Sequence, residues 1–240
     1  MPIPKRERTP RAGLLAIIRA HADRPPRDKC RGFVRGRTSG ERGRGAGIGM
    51  TKGRDSGMPA AEQWESYFDP AGIVESLGCC RLTGDVVEFG CGYGTFTIPA
   101  AQRTSGTVHA LDIDPLMVAA TAARASQAGL NNIRVEQRDF VADGCGLEPL
   151  SSSFAMLFNI LHIEDPVGLL RESYRVLRPG GLLGVIHWNH DIRTPRGPPL
   201  DIRPPPGQCR AWGEEAGLRW IRNETLPDSP WHWGMVFARL

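Results

Sequence analysis

Three features are missing from this sequence of 240 residues, and each absence excludes a class of protein. No run of about 18 apolar residues occurs, which excludes a membrane-spanning helix and predicts that the membrane is not a partner. The six cysteines form no C-x-x-C pair and no other spacing typical of a metal site, so no bound metal is expected. No secretory signal peptide is recognisable, and a protein of the reducing cytoplasm is therefore predicted.

Charge is spread unevenly along the chain. Residues 1–57 hold fifteen Lys or Arg against five acidic residues, whereas residues 58–240 hold fifteen Arg against twenty-one acidic residues. The acidic balance after residue 57 disfavours a nucleic-acid-binding surface there. The first 57 residues are rich in Arg, Gly and Pro, and only residues 14–18 form an apolar stretch. The composition predicts a disordered basic tail over 1–57, followed by one domain over 58–240.

Three interpretations of the basic tail stay open. Translation could start at Met50 or Met58 instead of Met1, in which case the tail is not part of the native protein. The tail could be a flexible arm that binds RNA or a protein partner, or an Arg-rich targeting peptide. Nucleic acid is therefore expected as a partner only through the tail. A non-enzymatic, RNA-associated protein is the corresponding alternative function.

From residue 58 onward, short runs with β-strand character alternate with helical segments, which is typical of a parallel sheet covered by helices on both faces. Asp69, Asp114 and Asp165 each precede a proline, and each pair predicts a helix start. Right-handed crossovers then predict an α/β fold with a Rossmann-like, doubly wound, mostly parallel seven-stranded sheet. Strands are predicted over 85–89, 107–111, 133–137, 154–159, 182–188, 218–221 and 235–240, and helices over 95–104, 115–128, 166–177 and 208–216.

The first predicted strand is followed by Gly90, Gly92 and Gly94 and then by a helix. Glycine permits a sharp turn and close ligand approach, and a helix start offers free N–H groups to an anion. The dinucleotide fingerprint needs glycine or alanine where this chain has Thr95. Glu88 would oppose a pyrophosphate but suits a ligand with an ammonium and a sulfonium. Both departures disfavour a nicotinamide-dependent oxidoreductase, which stays the rival enzyme class.

Acidic side chains follow the second and third predicted strands. Asp112 ends the second strand, where a carboxylate can accept hydrogen bonds from both hydroxyls of a ribose. Asp139 and Phe140 follow the third strand, where the carboxylate could bind an exocyclic amine and the ring could flank a purine. The pattern predicts a nucleoside site at the carboxyl end of the sheet.

Taken in order, these motifs resemble the class I S-adenosylmethionine-dependent methyltransferases over residues 86–188. The glycine run is similar to the first motif of that family, and segments 111–115, 139–140, 159–166 and 175–181 are similar to its second to fifth motifs. The resemblance implies S-adenosylmethionine as cofactor and methyl transfer by in-line displacement to a small-molecule acceptor. The cofactor-binding residues that it implies are Glu88, Gly90, Cys91, Gly92, Gly94, Asp112, Ile113, Met117, Asp139, Phe140 and Asn159.

The reaction implied by this resemblance requires the acceptor to be aligned and, where it has one, to lose a proton. A neutral imidazole is the base expected at neutral pH. His162, His187 and His190 are the catalytic candidates, because each lies near the end of a predicted strand on the ligand side. Packing remains an alternative role for these histidines. The chain lacks an Asn-Pro-Pro-Tyr motif, which disfavours methylation of DNA or of protein amides.

Segment 191–207 interrupts the alternation of strands and helices with six prolines and three arginines. It is too long and irregular for a simple turn. An active-site cover and a plain surface loop are both open interpretations, and the cover is favoured because the segment leaves the sheet on the ligand side.

Overall fold

The computed structural model describes residues 58–79 and 83–240, so the predicted basic tail lies outside the described residues. Within the described part, seven strands form one sheet in the order β3-β2-β1-β4-β5-β7-β6. Strands β1 to β5 pair in parallel, whereas β7 runs antiparallel to both β5 and β6. The predicted mostly parallel seven-stranded sheet is confirmed. The strands are β1 (Asp85–Phe89), β2 (Val108–Asp112), β3 (Ile133–Gln137), β4 (Ser152–Phe158), β5 (Leu177–Trp188), β6 (Arg219–Glu224) and β7 (His232–Ala238).

Helices start where the Asp-Pro pairs predict them. In the three helices that follow Asp69, Asp114 and Asp165, the aspartate carboxylate accepts a hydrogen bond from a backbone N–H of the first turn, at 2.8 to 3.0 Å. The proline after each aspartate lacks an N–H that the helix would leave unpaired in any case. The helices are α1 (Ala61–Glu65), α2 (Pro70–Ser76), α3 (Thr97–Ala101), α4 (Pro115–Gln127), α5 (Pro166–Val176) and α6 (Pro206–Glu215), with a short 3₁₀ helix at Leu200–Ile202.

Strand β5 begins five residues before its predicted start. The pairing of β5 with β4 shifts between Leu177 and Leu182, so the residues between them form a bulge. Gly180 has a φ of +80° in this bulge and donates its N–H to the carbonyl of Arg239, at 2.8 Å. The sequence predicted that a helix ends at residue 177 and that the next strand begins only at residue 182. This prediction was wrong, because the residues between them pair with Arg239, at the far end of the chain. Strand β7 was also predicted too late, at 235–240.

Both faces of the sheet are buried. Val86 of β1 belongs to one apolar cluster and Val87 to the other, since successive side chains of a strand point to opposite faces. Helices α2 and α3 contribute to the first cluster and α5 and α6 to the second. Ligand access is therefore expected at the carboxyl ends of the strands. Among the described residues, no helix has both the length and the apolar character needed to cross a membrane.

Candidate functional site

A cavity of about 820 Å³, including the space at its open mouth, lies at the carboxyl ends of β1, β2 and β4. Its lining combines two groups of residues. The glycine wall consists of Gly90, Gly92 and Asp112, and the aromatic wall consists of Trp64, Phe96 and Phe158. The other lining residues are Met58, Cys91, Thr95, Ile113, Phe140, Asn159, Ile160 and His162.

The glycine wall brings backbone close to the cavity. Gly90 and Gly92 have φ values of +81° and +54°, which side chains larger than hydrogen rarely adopt. A Cβ on Gly90 would lie 3.0 Å from Cδ1 of Ile160, and a Cβ on Gly92 would lie 3.3 Å from Cε of Met58. Any side chain at either glycine would therefore press on the residues that line the cavity.

The carboxylate of Asp112, at the end of β2, accepts two backbone hydrogen bonds. One carboxylate oxygen accepts the N–H of Gly92 at 2.9 Å, and the other accepts the N–H of Asp114 at 3.0 Å. Burial raises the pKa of this carboxyl group, and the two backbone hydrogen bonds oppose the rise. A carboxylate oxygen can accept two hydrogen bonds, so each oxygen retains capacity for a ligand hydroxyl.

Gly94, which the resemblance assigned to the cofactor, does not line the cavity. A Cβ on Gly94 would lie 3.2 Å from the side chain of Thr121 in α4. The Thr121 hydroxyl donates to the carbonyl of Gly92, at 2.8 Å. The third glycine thus lets the turn pack closely on α4. Met117, also in α4, is buried and likewise does not line the cavity.

Glu88 is almost fully buried, and it does not line the cavity either. Its carboxylate accepts a hydrogen bond from the Thr97 hydroxyl, at 2.5 Å. Burial raises the pKa of Glu88 to about 8, against the lowering effect of that hydrogen bond, and the nearby charge of Asp112 raises it further. The resemblance implies that Glu88 helps to hold the cofactor from beneath the glycines, and the structure places its carboxylate behind the residues that line the cavity.

Two polar side chains of the cavity have unused hydrogen-bonding groups. Within the described residues, neither amide atom of Asn159 nor the hydroxyl of Thr95 has a protein partner, although all three atoms are buried. Asn159 also has a φ of +58°, and its backbone N–H donates to the carbonyl of Ile186 at 2.7 Å. Buried polar groups are normally paired. The cavity is therefore suited to a ligand with polar groups near Asn159 and Thr95.

Phe140 and Asp139 occupy different positions around the cavity. Phe140 lines it and packs edge-to-face on Phe89, with ring centroids 5.4 Å apart. Asp139 accepts the N–H of Ala142 at 3.0 Å and lines a smaller adjoining cavity of about 250 Å³. The two cavities share three lining residues, which are Ile113, Phe140 and Ile160.

The aromatic wall was not predicted from the sequence. Phe68 links its members, with ring centroids 4.9 Å from Trp64 and 5.1 Å from Phe96, and Phe96 lies 4.8 Å from Phe158. Phe96 follows Thr95 directly and Phe158 precedes Asn159, so their positions beside recognised motifs could have indicated them. Trp64 lies in α1, ahead of every recognised motif, so no neighbouring motif indicated that it lines the cavity.

Only one of the three candidate histidines lines the cavity. His162 does so, and its Nδ1 lies 3.3 Å from Nε2 of His187. His187 has no exposed surface and stacks on Trp233, so direct contact with an acceptor is excluded for it. Burial lowers the pKa of His162 to about 4, with a further lowering by Arg203. His190 lies outside the lining.

The proline-rich segment 191–207 contributes no residue to either cavity. Arg203 is buried within it and donates hydrogen bonds to the carbonyls of Asn189 and Pro198, at 2.8 and 2.7 Å. Its guanidinium lies over the ring of Trp188, at 5.7 Å from the centroid. The segment therefore packs on Trp188, and the structure does not support the interpretation as an active-site cover.

Known proteins resemble this chain in sequence. Residues 86–181 match the methyltransferase domain family. A nocamycin O-methyltransferase of Saccharothrix syringae is 32% identical over 58% of this chain and 47% of its own length. A ribosomal protein L11 methyltransferase of Methylococcus capsulatus is 39% identical over 45% of this chain and 35% of its own length. The chain thus spans about half or less of the length of these relatives.

Solved structures resemble the chain in fold. A S-adenosylmethionine-dependent methyltransferase from Aquifex aeolicus superposes with a TM-score of 0.64 at 23% identity. The superposition covers 73% of this chain and 92% of that one. At this level of identity the likeness establishes the shared architecture.

Proposed function

We propose that this chain, a member of the class I S-adenosylmethionine-dependent methyltransferase family, transfers a methyl group from S-adenosylmethionine to a small-molecule acceptor. The observation that carries the proposal is the composition of one cavity. It joins the paired carboxylate of Asp112, the unpartnered polar atoms of Asn159 and Thr95, and an aromatic wall. A polar nucleoside and an apolar acceptor each find suitable contacts there.

The residues of the cavity fit S-adenosylmethionine. Asp112 would accept hydrogen bonds from the two ribose hydroxyls, for which its oxygens retain capacity. Gly90 and Gly92 would allow the methionine part to approach the backbone. The amide of Asn159 would pair with a polar group of the donor, which would remove the cost of leaving it unpartnered. Phe140 would flank the adenine.

The chemistry is a displacement at carbon. When bound, S-adenosylmethionine supplies a methyl group activated by a sulfonium. In an in-line displacement the acceptor atom would take the methyl group, and S-adenosylhomocysteine would leave with the electron pair of the carbon–sulfur bond. His162 would take the acceptor proton, so that the positive charge would end on its imidazolium. His162 is the candidate for this role because it lines the cavity. Burial and Arg203 lower its pKa to about 4, which keeps the ring neutral at physiological pH but also makes it a weak base, so its position beside the acceptor has to supply the advantage.

The character of the cavity favours a small acceptor over a protein chain. Its lining is mainly apolar and aromatic with a few polar groups, which is typical of small-molecule sites. Within the described lining, Asp112 is the sole charged side chain, and the aromatic wall offers apolar contact. The relative named for nocamycin supports a small acceptor, and the one named for ribosomal protein L11 defines the rival class.

Calorimetric titration tests the donor site first. Purified protein is titrated with S-adenosylhomocysteine and, separately, with NAD. Binding of the first alone is expected, whereas binding of NAD alone would favour the oxidoreductase and binding of neither would overturn the proposal. Radiolabelled S-adenosylmethionine is then offered with a panel of phenols, enols and amines and with purified ribosomal protein L11. Labelling of the protein substrate alone would reject a small acceptor.

We further propose that residues 58–240 form the catalytic domain and that it acts in the cytoplasm. Cys91, Cys145 and Cys209 are buried thiols outside any disulfide, which is compatible with a reducing compartment. A variant that lacks residues 1–57 is expected to keep its affinity for S-adenosylhomocysteine and its methyl transfer. Loss of either would assign the basic tail a role in catalysis, and loss of salt-dependent RNA binding alone would identify it as an RNA-binding arm.

A further inference from the structure

Three groups form a line from the interior of the protein to the cavity. The carbonyl oxygen of Trp188 lies 3.3 Å from Nδ1 of His187. Nε2 of His187 lies 3.3 Å from Nδ1 of His162, which lines the cavity. His187 is fully buried, so no solvent competes for its two ring nitrogens. The two hydrogen bonds therefore determine where the protons lie.

The direction of both hydrogen bonds follows from the chemistry of the carbonyl group. A carbonyl oxygen only accepts, so Nδ1 of His187 carries the proton that is donated to Trp188. A neutral imidazole has one N–H, and Nε2 of His187 is then an acceptor. Nδ1 of His162 must donate to it. In a neutral His162 this leaves Nε2 without a proton and with its lone pair available.

The surroundings keep both rings neutral. Burial lowers the pKa of His187 to about 3, and the neighbouring His162, His232 and Arg203 lower it further, against the opposing effect of the Trp188 carbonyl. Burial and Arg203 likewise lower the pKa of His232 to about 3. Arg203 is the cation that acts on all three histidines, including His162. At physiological pH the line of hydrogen bonds is therefore uncharged.

From this geometry we infer that His187 is a positioning residue that holds His162 in the tautomer with an unprotonated Nε2, and that the acceptor is an uncharged ring compound bearing a hydroxyl group. The inference rests on the proposed methyl transfer and adds the class of acceptor to it.

The class of acceptor follows from the role of His162, whose unprotonated Nε2 can accept a proton from the acceptor. A phenolic hydroxyl has a pKa of about 10, so it remains protonated at neutral pH and needs a base to take its proton. A thioether or a tertiary amine has no proton to lose, and a carboxylic acid has lost its proton already. The aromatic wall suits a ring, because aromatic pairs and apolar burial both stabilise it there. These properties together favour a phenol or an enol.

The decisive experiment is nitrogen NMR of the full chain labelled with ¹⁵N at histidine side chains, with and without S-adenosylhomocysteine. The ring-nitrogen resonances distinguish the two neutral tautomers. We expect His162 at neutral pH to carry its proton on Nδ1. A proton on Nε2 in the folded protein would overturn the inference. The measurement does not require an acceptor, so its failure is distinguishable from failure of donor binding.

Variants of His187 separate positioning from packing. His187→Phe removes the acceptor for Nδ1–H and is expected to shift His162 towards the Nε2–H tautomer. His187→Gln supplies an amide oxygen instead and is expected to keep the original tautomer. His232→Phe removes a neighbouring buried histidine that contacts Ser229, at 2.9 Å, and should leave the His162 resonances in place. An unchanged tautomer in His187→Phe would refute the role of His187, and if that variant does not fold, the wild-type spectrum still decides.

Kinetics with a phenol or enol identified in the screen provide the second readout. His187→Phe is expected to lower kcat by roughly tenfold or more while the KM for S-adenosylmethionine stays unchanged. His187→Gln should recover part of that rate. The inference would be overturned if the enzyme methylated only compounds that have no transferable proton. It would also be overturned if His187→Phe lost affinity for the donor while its kcat was preserved.

Discussion

The glycine wall and the aromatic wall line the same cavity, but the chain encodes them in different ways. The glycine wall comes from one continuous strand–helix–strand unit, from β1 through α3 to β2. The aromatic wall joins α1, the turn after β1 and the end of β4, which are distant in sequence. Under the proposed function, donor recognition would depend mainly on local backbone geometry. Acceptor recognition would depend on side chains brought together by the packing of the whole domain.

The strongest test of this division is His162→Phe, which alters the acceptor side alone. Loss of the base is expected to lower kcat by about 10²- to 10⁴-fold. The dissociation constant of S-adenosylhomocysteine should not change, because the glycine wall is intact. Initial rates and calorimetry measure the two quantities. A larger loss of turnover in His190→Phe than in His162→Phe would show that the base has been assigned to the wrong histidine.

Asp112→Ala tests the donor side in the same way. Ribose hydroxyls left without an acceptor should weaken binding of S-adenosylhomocysteine by about 1–3 kcal/mol. Asp114→Ala is the matched control, because Asp114 caps α4 through the N–H of Leu116 at 2.8 Å. The control should lose about 1 kcal/mol of stability and keep its donor affinity. Equal affinity in Asp112→Ala and the wild type would remove Asp112 from the site.

Gly90→Ala and Gly129→Ala distinguish a ligand-facing glycine from an ordinary helix end. Both glycines have positive φ, at +81° and +65°, so each substitution should cost about 1–2 kcal/mol of stability. A Cβ on Gly90 would lie 3.0 Å from Ile160, whereas a Cβ on Gly129 would meet nothing within 4 Å. Donor affinity is expected to fall roughly tenfold, or about 1.4 kcal/mol, in Gly90→Ala alone. Similar affinities in the two variants would contradict a ligand at Gly90.

The smallest expected effect concerns the buried histidines and the pH dependence of stability. The folded-state pKa of His187 is about 3, below its unfolded value of about 6.5, so the unfolded chain binds the extra proton. The contribution of neutral His187 is complete above the unfolded pKa and is lost as the pH falls towards 3. As the pH falls from about 7.5 to about 5.5, the free energy of unfolding of His187→Phe should rise by about 1 kcal/mol relative to that of the wild type, as measured by urea unfolding. Parallel pH curves would show that His187 is not buried in its neutral form.

Local sequence signals predicted the helix starts well and the starts of β5 and β7 poorly. The Asp-Pro pairs act within a single turn, and each capping hydrogen bond joins residues at most three positions apart. Pro179, Gly180 and Gly181 are typical of a chain break, yet they lie within β5. Hydrogen bonds between this segment and Arg239 stabilise the extended backbone. No local pattern reports a partner at the other end of the chain.

The candidate site was predictable to the extent that it consists of backbone turns and strand ends. Gly90, Gly92 and Asp112 line the cavity as expected, because the order of motifs along a doubly wound sheet determines which loops meet. The resemblance assigned Gly94 to the ligand as well, whereas the structure places it against Thr121 of α4. The motif identifies a tight turn without showing which of its glycines faces a helix.

The sequence by itself determined the sheet, the carboxyl-end location of the cavity and the glycine and aspartate groups suited to a nucleoside, because these follow from short-range geometry and right-handed connections. The tertiary structure decided that His162 reaches the cavity while His187 lies behind it, and that Trp64 joins the lining. Exposure and proton position depend on which distant side chains pack around a residue, and a linear pattern does not contain that information.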